Sequence, residues 1–258
     1  MKLINWECLE EMKKMESESI DLIVTSPPYD NLRTYNWTLN WNFDIFKDIA
    51  KECARVIKKG WVIVWVVWDA TIKWSKSLTS FKQAIYFKEE CWLNVYDNIL
   101  YQKAGGLLPH KWRYRNCYEN MFIFSKWKPK TLNIIKDRPN KYNWTKTGNR
   151  TVREVNWKLT EKGVKQIPDF WVRYNIWEYS NGKNQWTTDN VKWHPATFPE
   201  KLAEDHIRSW SNEWDIILDP FMWSWTTWKM TRLNNRKFIG IELDENYFKI
   251  AQDRINAN

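Results

Sequence analysis

Short, nearly continuous apolar runs rich in Ile and Val punctuate the chain at Ile20–Thr25 (IDLIVT), Val62–Val67 (VIVWVV), Ile216–Leu218 (IIL) and Phe238–Leu243 (FIGIEL). Runs of this kind predict strands buried on both faces, as in a parallel sheet. Between them the period changes. Phe46, Ile49, Ala50, Cys53 and Ile57 fall at i, i+3, i+4, i+7 and i+11, one apolar stripe of a helix running to about Lys59, and residues 78–90 and 199–210 read likewise. Leu93–Tyr101 and Asn120–Ser125 follow one another without an intervening helix, which predicts an antiparallel pair at one edge of the sheet. The sum is an α/β fold: a mostly parallel sheet of about seven strands with helices on both faces. Residues 127–192 show little periodicity and many Asn, Lys and Thr, and so read as an inserted irregular module.

The net charge of +9 sharpens that picture, because it is not spread evenly. Between Lys126 and Arg173 stand thirteen Lys and Arg against four acids, so this block carries the whole excess. A basic block of this size is the electrostatic footprint expected of nucleic-acid binding. Lys136, Arg138, Lys141, Arg150 and Arg153 are the candidate phosphate contacts. Four scattered cysteines (Cys8, Cys53, Cys91, Cys117) with no CxxC pair support neither a disulfide frame nor a zinc site. No apolar run approaches the roughly 18–20 residues of a membrane span, and MKLINWECLEEM lacks a signal-peptide core, so a cytoplasmic protein is expected. His110, His194 and His206 share no ligand spacing, and no metal is expected.

Glycine and tryptophan are both anomalous: 7 Gly stand beside 21 Trp in 258 residues. Ordinary usage puts Gly near about 7%. The shortfall and the excess look like one event, because many of the Trp occupy positions where the backbone asks for glycine. UGA codons meaning glycine in the source cell, but translated as tryptophan, would produce it. The positions concerned are 6, 37, 61, 68, 74, 92, 127, 144, 157, 171, 186, 214, 223, 225 and 228, whereas Trp41, Trp65, Trp112, Trp177, Trp193 and Trp210 read as genuine.

Two motifs carry chemistry. Thr25-Ser26-Pro27-Pro28-Tyr29 follows the strand IDLIVT at its carboxyl end, where open α/β sheets hold their ligands. Two successive prolines stiffen the backbone and remove amide donors that would compete for its carbonyls, while Ser26 adds a side-chain acceptor. Such a turn can grip an amino group. The second motif is Leu218-Asp219-Pro220-Phe221-Met222-Trp223-Ser224-Trp225-Thr226-Thr227, again a strand running into a turn and a helix. With glycine at 223 and 225 it becomes a Gly-rich loop that lets a ligand approach a helix N-terminus. Glu242 ends the next strand, 23 residues after Asp219, close to the roughly 20-residue spacing at which an acid holds ribose hydroxyls in nucleotide folds.

In this order the motifs resemble the amino-methyltransferases of DNA in their permuted, β-type arrangement, enzymes that use S-adenosyl-L-methionine to methylate the exocyclic amine of cytosine (N4) or adenine (N6). The resemblance implies a Rossmann-like methyltransferase sheet divided into a catalytic half (1–126), a target-recognition region (127–192) and a cofactor half (193–258). It implies that Ser26 and the Pro27 carbonyl, stiffened by Pro28, accept hydrogen bonds from the target amine and that Tyr29 stacks on a base flipped from the duplex. Cofactor contacts are implied for Asp219 and the loop Pro220, Phe221, Trp223, Ser224, Trp225, Thr226 and Thr227 at the amino-acid end. Glu242 falls to the ribose, and Glu7, in an NWEC that resembles the family's NGDC, to the adenine region. His194 and Phe198, in HPATFPE, fall beside the methionine portion. Ser before Pro-Pro-Tyr is the commoner signature of cytosine-N4 enzymes and Asp of adenine-N6 enzymes. The adenine-specific alternative stays open, as does an inactive DNA-binding protein should Trp223 and Trp225 be real. A cognate restriction endonuclease is a partner the resemblance leaves open.

Overall fold

A computed structural model describes residues 2–28, 41–104, 111–148, 150–180, 199–223 and 226–256. It comprises two compact units, Met1–Asn133 with Asn175–Asn258, and Ile134–Tyr174. In the first unit the chain runs through β1 (Lys2–Asn5), α1 (Cys8–Lys13), β2 (Ile20–Thr25), α2 (Phe43–Val56) and β3 (Ile57–Val67), then a minimal ribbon of β4 (Thr71–Ile72) and β5 (Ser75–Lys76). α3 (Thr79–Glu89), β6 (Asn94–Ala104) and β7 (Tyr118–Ser125) follow. The second unit holds β8 (Lys136–Pro139), β9 (Arg150–Arg153), β10 (Leu159–Lys162) and β11 (Phe170–Val172). The chain then returns to the first unit through β12 (Ile176–Ser180), α4 (Glu200–Trp210), β13 (Ile216–Asp219), α5 (Thr226–Leu233), β14 (Lys237–Glu242) and α6 (Glu245–Asn256).

The central sheet has the order β1-β14-β13-β2-β3-β7-β6-β12. The first five strands are mutually parallel, β7 is antiparallel to both β3 and β6, and β12 is parallel to β6. The expected α/β sheet is therefore present with eight strands rather than seven. The added strand, β12, comes from the stretch read as irregular, and it displaces the β6–β7 pair from the edge of the sheet. Its residues alternate, with Trp177 and Tyr179 buried and Ile176 and Glu178 exposed. The buried pair packs on α4: the Trp177 ring lies 4.7 Å from that of His206, and the Tyr179 hydroxyl donates to Asp205 at 2.8 Å.

All six residues of β2 are buried, so both faces of the sheet are covered there, as its unbroken apolar run requires. α2 begins at Asn42, whose side chain accepts from the amides of Asp44 and Ile45 at 2.9 and 3.0 Å and satisfies two of the helix's unpaired donors. Its stripe of Phe46, Ile49, Ala50 and Cys53 is buried as the period predicts, but the helix stops at Val56 and not near Lys59. Strand pairing takes over at Ile57, which is opposite Ile20. Phe46 meets Trp65 and Phe87 in an aromatic core with ring centroids 5.2–5.9 Å apart. The indole N–H of the fully buried Trp65 donates to Gln83 at 2.8 Å, so its polar edge is not left unpaired.

Ile134–Tyr174 has a different physical character. Two antiparallel ribbons, β8–β11 and β9–β10, carry mostly exposed side chains. Local polar contacts hold them: Arg173 pairs with Asp137, and the Arg138 guanidinium lies over the Tyr174 ring at 4.0 Å.

Among the described residues nine non-glycine positions have left-handed backbone, and five of the nine are tryptophan: 92, 127, 157, 214 and 223. Trp214 (φ 70°) is the third residue of a turn closed by the Asp215 amide on the Asn212 carbonyl, a position that suits glycine. An L-residue in this region costs roughly 1–2 kcal/mol, partly offset by glycine's greater loss of chain entropy of roughly 0.5–1 kcal/mol. Trp214→Gly is therefore expected to stabilise the chain by up to about 1 kcal/mol. A urea midpoint that rises at constant m would bear this out, and an unchanged or lower midpoint would contradict it.

Candidate active site

The connection from β2 through α2 leads to β3 on one side of the sheet, while that from β13 through α5 leads to β14 on the other. The carboxyl ends of β13 and β2, paired in register at Leu218 and Ile23, thus flank the point where the strand order reverses. Open α/β sheets bind ligands in the crevice at such a point.

Asp219 ends β13 and is buried. Its Oδ1 accepts from the Thr25 hydroxyl at 2.7 Å and the Phe221 amide at 3.1 Å, and its Oδ2 from the Thr227 hydroxyl at 2.8 Å. One carboxylate thereby joins the end of β2, the loop after β13 and the first turn of α5. Burial pushes its pKa up to about 6, against the pull of those three donors.

Glu242 ends β14 and is likewise buried. Its Oε2 accepts from the Trp223 amide and its Oε1 from the Asp244 amide, both at 2.9 Å, and burial pushes its pKa up to about 7. The side-chain amide of Asn5 donates to the carbonyls of Glu242 (2.8 Å) and Leu243 (3.2 Å), which fixes the end of β1 beside that of β14. Two residues on, Glu7 caps α1 by accepting from the Glu10 amide at 2.9 Å.

Ser26, Pro27 and Pro28 are buried at the end of β2. The loop after β13 reaches them through Trp223, whose indole N–H donates to the Ser26 carbonyl at 3.1 Å. Pro220 and Phe221 are buried, and the Phe221 ring meets Trp41 and Trp65 edge-on at 5.4 and 6.3 Å. Thr226 and Thr227 open α5, and the buried Thr226 hydroxyl has no hydrogen-bond partner among the described residues. Tyr29, His194, Phe198, Ser224 and Trp225 lie outside the described residues. His206 is a packed histidine, its Nδ1 accepting from the Trp210 indole at 3.3 Å, and no cluster of three metal-ligating side chains occurs among the described residues. Lys136, Arg138, Lys141, Arg150 and Arg153 belong to the second unit, where the side chains of Lys136, Lys141 and Arg153 are exposed.

Sequence reading missed Thr25, Asn5 and Tyr247. Thr25 was legible only as the first letter of TSPPY, since its partner Asp219 is 194 residues away. Tyr247 meets the Trp223 ring edge-on with centroids 6.1 Å apart.

Comparison with known proteins decides the family. Residues 20–253 match the family model described as DNA methylase. The chain belongs to the DNA methylases. It is 50% identical over 240 residues to the orphan methyltransferase M.BamHII of Bacillus amyloliquefaciens, covering 92% of this chain and 89% of that one. Among solved structures it resembles the PvuII DNA methyltransferase (cytosine-N4-specific) with a TM-score of 0.71 at 20% identity, over 98% of this chain and 85% of that one. A DNA modification methylase from Thermus thermophilus, complexed with S-adenosyl-L-methionine, gives 0.65 at 19% identity, over 99% and 93%. This DNA methylase is an S-adenosyl-L-methionine-dependent amino-methyltransferase of the N4/N6 type. Its crevice fits that cofactor: two buried carboxylates and the Thr226 hydroxyl, which has no partner among the described residues, supply polar groups for a cationic, hydroxyl-bearing ligand. Among the described residues no helix is long and apolar enough to cross a membrane.

The folded methylase holds a proton on Glu242 up to about pH 7, which the unfolded chain, with an ordinary value of 4.5, has already released. Stability therefore falls as pH rises across that window. Glu242→Gln cannot titrate, so its melting temperature relative to the parent is expected to rise between pH 4.5 and pH 7. A difference that stays flat across that range contradicts the assignment.

Proposed function

We propose that this DNA methylase transfers a methyl group to the N4 amine of a flipped cytosine in double-stranded DNA. The observation that carries the proposal is the Ser26-Pro27-Pro28 turn at the end of β2, tied through Thr25 and Asp219 to the loop that opens α5. The cofactor, when bound, supplies a methyl group on a sulfonium. Asp219, Pro220, Phe221, Thr226 and Thr227 with loop positions 223–225 hold its amino-acid end, Glu242 the ribose, Glu7 the adenine side, and His194 and Phe198 flank the methionine portion.

Ser26 Oγ and the Pro27 carbonyl accept from the two hydrogens of the exocyclic amine. That geometry rotates the nitrogen lone pair out of conjugation with the ring and towards the methyl group. Pro28 keeps the carbonyls in place, and Tyr29 stacks on the flipped base, whose reacting nitrogen is otherwise paired inside the duplex. Ser at position 26, and not Asp, favours cytosine. Residues 1–126 form the catalytic half, 127–192 the target-recognition region and 193–258 the cofactor half of a cytoplasmic enzyme.

In a Trp223→Gly, Trp225→Gly background, adding Tyr29→Ala is expected to lower turnover roughly 10- to 100-fold, the worth of one base–aromatic stack, and to leave cofactor affinity unchanged. Unchanged turnover rejects the stacking role. Mass spectrometry of the nucleosides in the methylated duplex is expected to find N4-methylcytosine, and N6-methyladenine in its place would overturn the choice of base.

Replacing Lys136, Arg138 and Lys141 together with Ala is expected to weaken binding to every duplex sequence. The slope of log affinity against log salt should fall by up to about 3, at roughly 0.9 per phosphate neutralised. An unaltered slope removes these residues from the DNA surface.

A further inference from the structure

Of the 21 tryptophans, 17 lie in the described residues, all but 37, 186, 193 and 225. Five of these 17 have left-handed backbone: Trp92 (φ 56°), Trp127 (84°), Trp157 (67°), Trp214 (70°) and Trp223 (43°). Only a few per cent of non-glycine residues take such angles, and a bulky side chain there is an outlier. Once would be a local accident, but five times in one residue type demands a common cause.

Each site has the architecture of a glycine position. The chain leaves α3 through Trp92, while the Cys91 and Leu93 amides close on the Tyr86 and Phe87 carbonyls, the kind of helix stop that glycine serves. Trp157 ends the β9–β10 hairpin turn: its amide closes on the Glu154 carbonyl at 2.9 Å, and the Glu154 amide on Lys158 at 2.9 Å. That is a tight turn followed by a left-handed residue, where glycine is the usual choice. Trp214 is the third residue of its turn, Trp127 stands two residues past the end of β7, and Trp223 follows Asp-Pro-Phe-Met in the cofactor loop.

The side chains tell the same story. Trp92, Trp127, Trp157 and Trp214 are between 66% and 86% exposed, where an indole loses the burial that is its chief contribution. Trp65, Trp177 and Trp210, by contrast, are buried without left-handed backbone, and the indole N–H groups of Trp65 and Trp210 donate to Gln83 and His206. The geometry also sets a limit. Trp228 is buried within α5 and Trp61 lies within β3, both without left-handed backbone, so the backbone does not ask for glycine at either.

We propose that Trp92, Trp127, Trp157, Trp214 and Trp223 stand at glycine positions of the working protein, because UGA is read as glycine in the cell that makes it. We propose further that glycine at 223 is what opens the cofactor loop to its ligand. One reassigned codon converts one residue type into one other at every occurrence, which accounts for the pairing of surplus Trp with missing Gly. At 223 the consequence is chemical. The indole of Trp223 reaches from the loop after β13, where the residue's amide is held by Glu242 at the end of β14, to the Ser26 carbonyl at the end of β2. Glycine removes that bulk and leaves the residue-223 amide on Glu242 in place, since that bond is made by the backbone.

The first clause rests on backbone angles and stands apart from the methyl-transfer reading; the second rests on that reading. Peptide mass spectrometry of the protein purified from its own cells tests the first. Glycine is expected at 92, 127, 157, 214 and 223, and tryptophan at 65, 177 and 210. Tryptophan at the five positions, or UGG codons there, overturns it. Calorimetric titration with S-adenosyl-L-homocysteine, in a Trp225→Gly background, tests the second: no binding heat is expected for the chain carrying Trp223, and saturable binding once Trp223→Gly is added. Trp214→Gly, which relieves a left-handed site but keeps the indole at 223, is expected to remain silent and so separates loop opening from general stabilisation. Equal binding with Trp or Gly at 223 overturns loop opening. Absence of binding in every variant, with glycine found in the native peptides, overturns the cofactor reading and leaves the recoding intact.

Discussion

A single buried carboxylate holds the functional end of this sheet together. Asp219 is removed from water and takes donors from three separate places, the Thr25 hydroxyl on β2, the Phe221 amide in the loop and the Thr227 hydroxyl on α5. A buried acid with fewer donors would be costly, and one with three good ones fixes the geometry of everything it touches. Here it fixes the distance between two strand ends that are 194 residues apart in sequence. The Ser26-Pro27-Pro28 turn follows Thr25 directly, and the loop after Asp219 leads into α5. Their juxtaposition, on which the proposed methyl transfer depends, follows from one side chain and from the reversal of strand order between β13 and β2. The second carboxylate, Glu242, repeats the device one strand further out by holding two backbone amides.

Much of this was legible in the chain because periodicity reports burial directly. The run IDLIVT had to be covered on both faces, and it is. The apolar stripe of α2 had to face the core, and it does. The placement of the two motifs was legible for the same reason: each follows an apolar run, and both stand at the ends of neighbouring strands. The eighth strand was not legible. β12 has only five residues, and its alternating Trp177 and Tyr179 acquire meaning only from α4, which packs against them. The end of α2 was misplaced for a related reason, since Ile57 continues the helical stripe but is claimed by pairing with Ile20. The partnership of Thr25 with Asp219 is a long-range contact with no local signal at all.

The excess charge and the catalytic chemistry belong to different parts of the chain. Most of the basic block falls in Ile134–Tyr174, whose ribbons are held by local pairs and whose side chains mostly face solvent. A small exposed module of this kind can vary its surface at little cost to a core built elsewhere, which suits the target-recognition role proposed for it. Five of the surplus tryptophans cut across this division, standing in both units at positions of left-handed backbone.

The most direct test of the account is a crystal structure of the Trp223→Gly, Trp225→Gly chain grown with S-adenosyl-L-homocysteine. The account predicts the ribose hydroxyls on the Glu242 carboxylate, the amino-acid end beside Asp219 and the α5 N-terminus, and the thioether sulfur facing Ser26 and Pro27. Ligand bound elsewhere, or bound without touching Glu242 and the loop after Asp219, would contradict it.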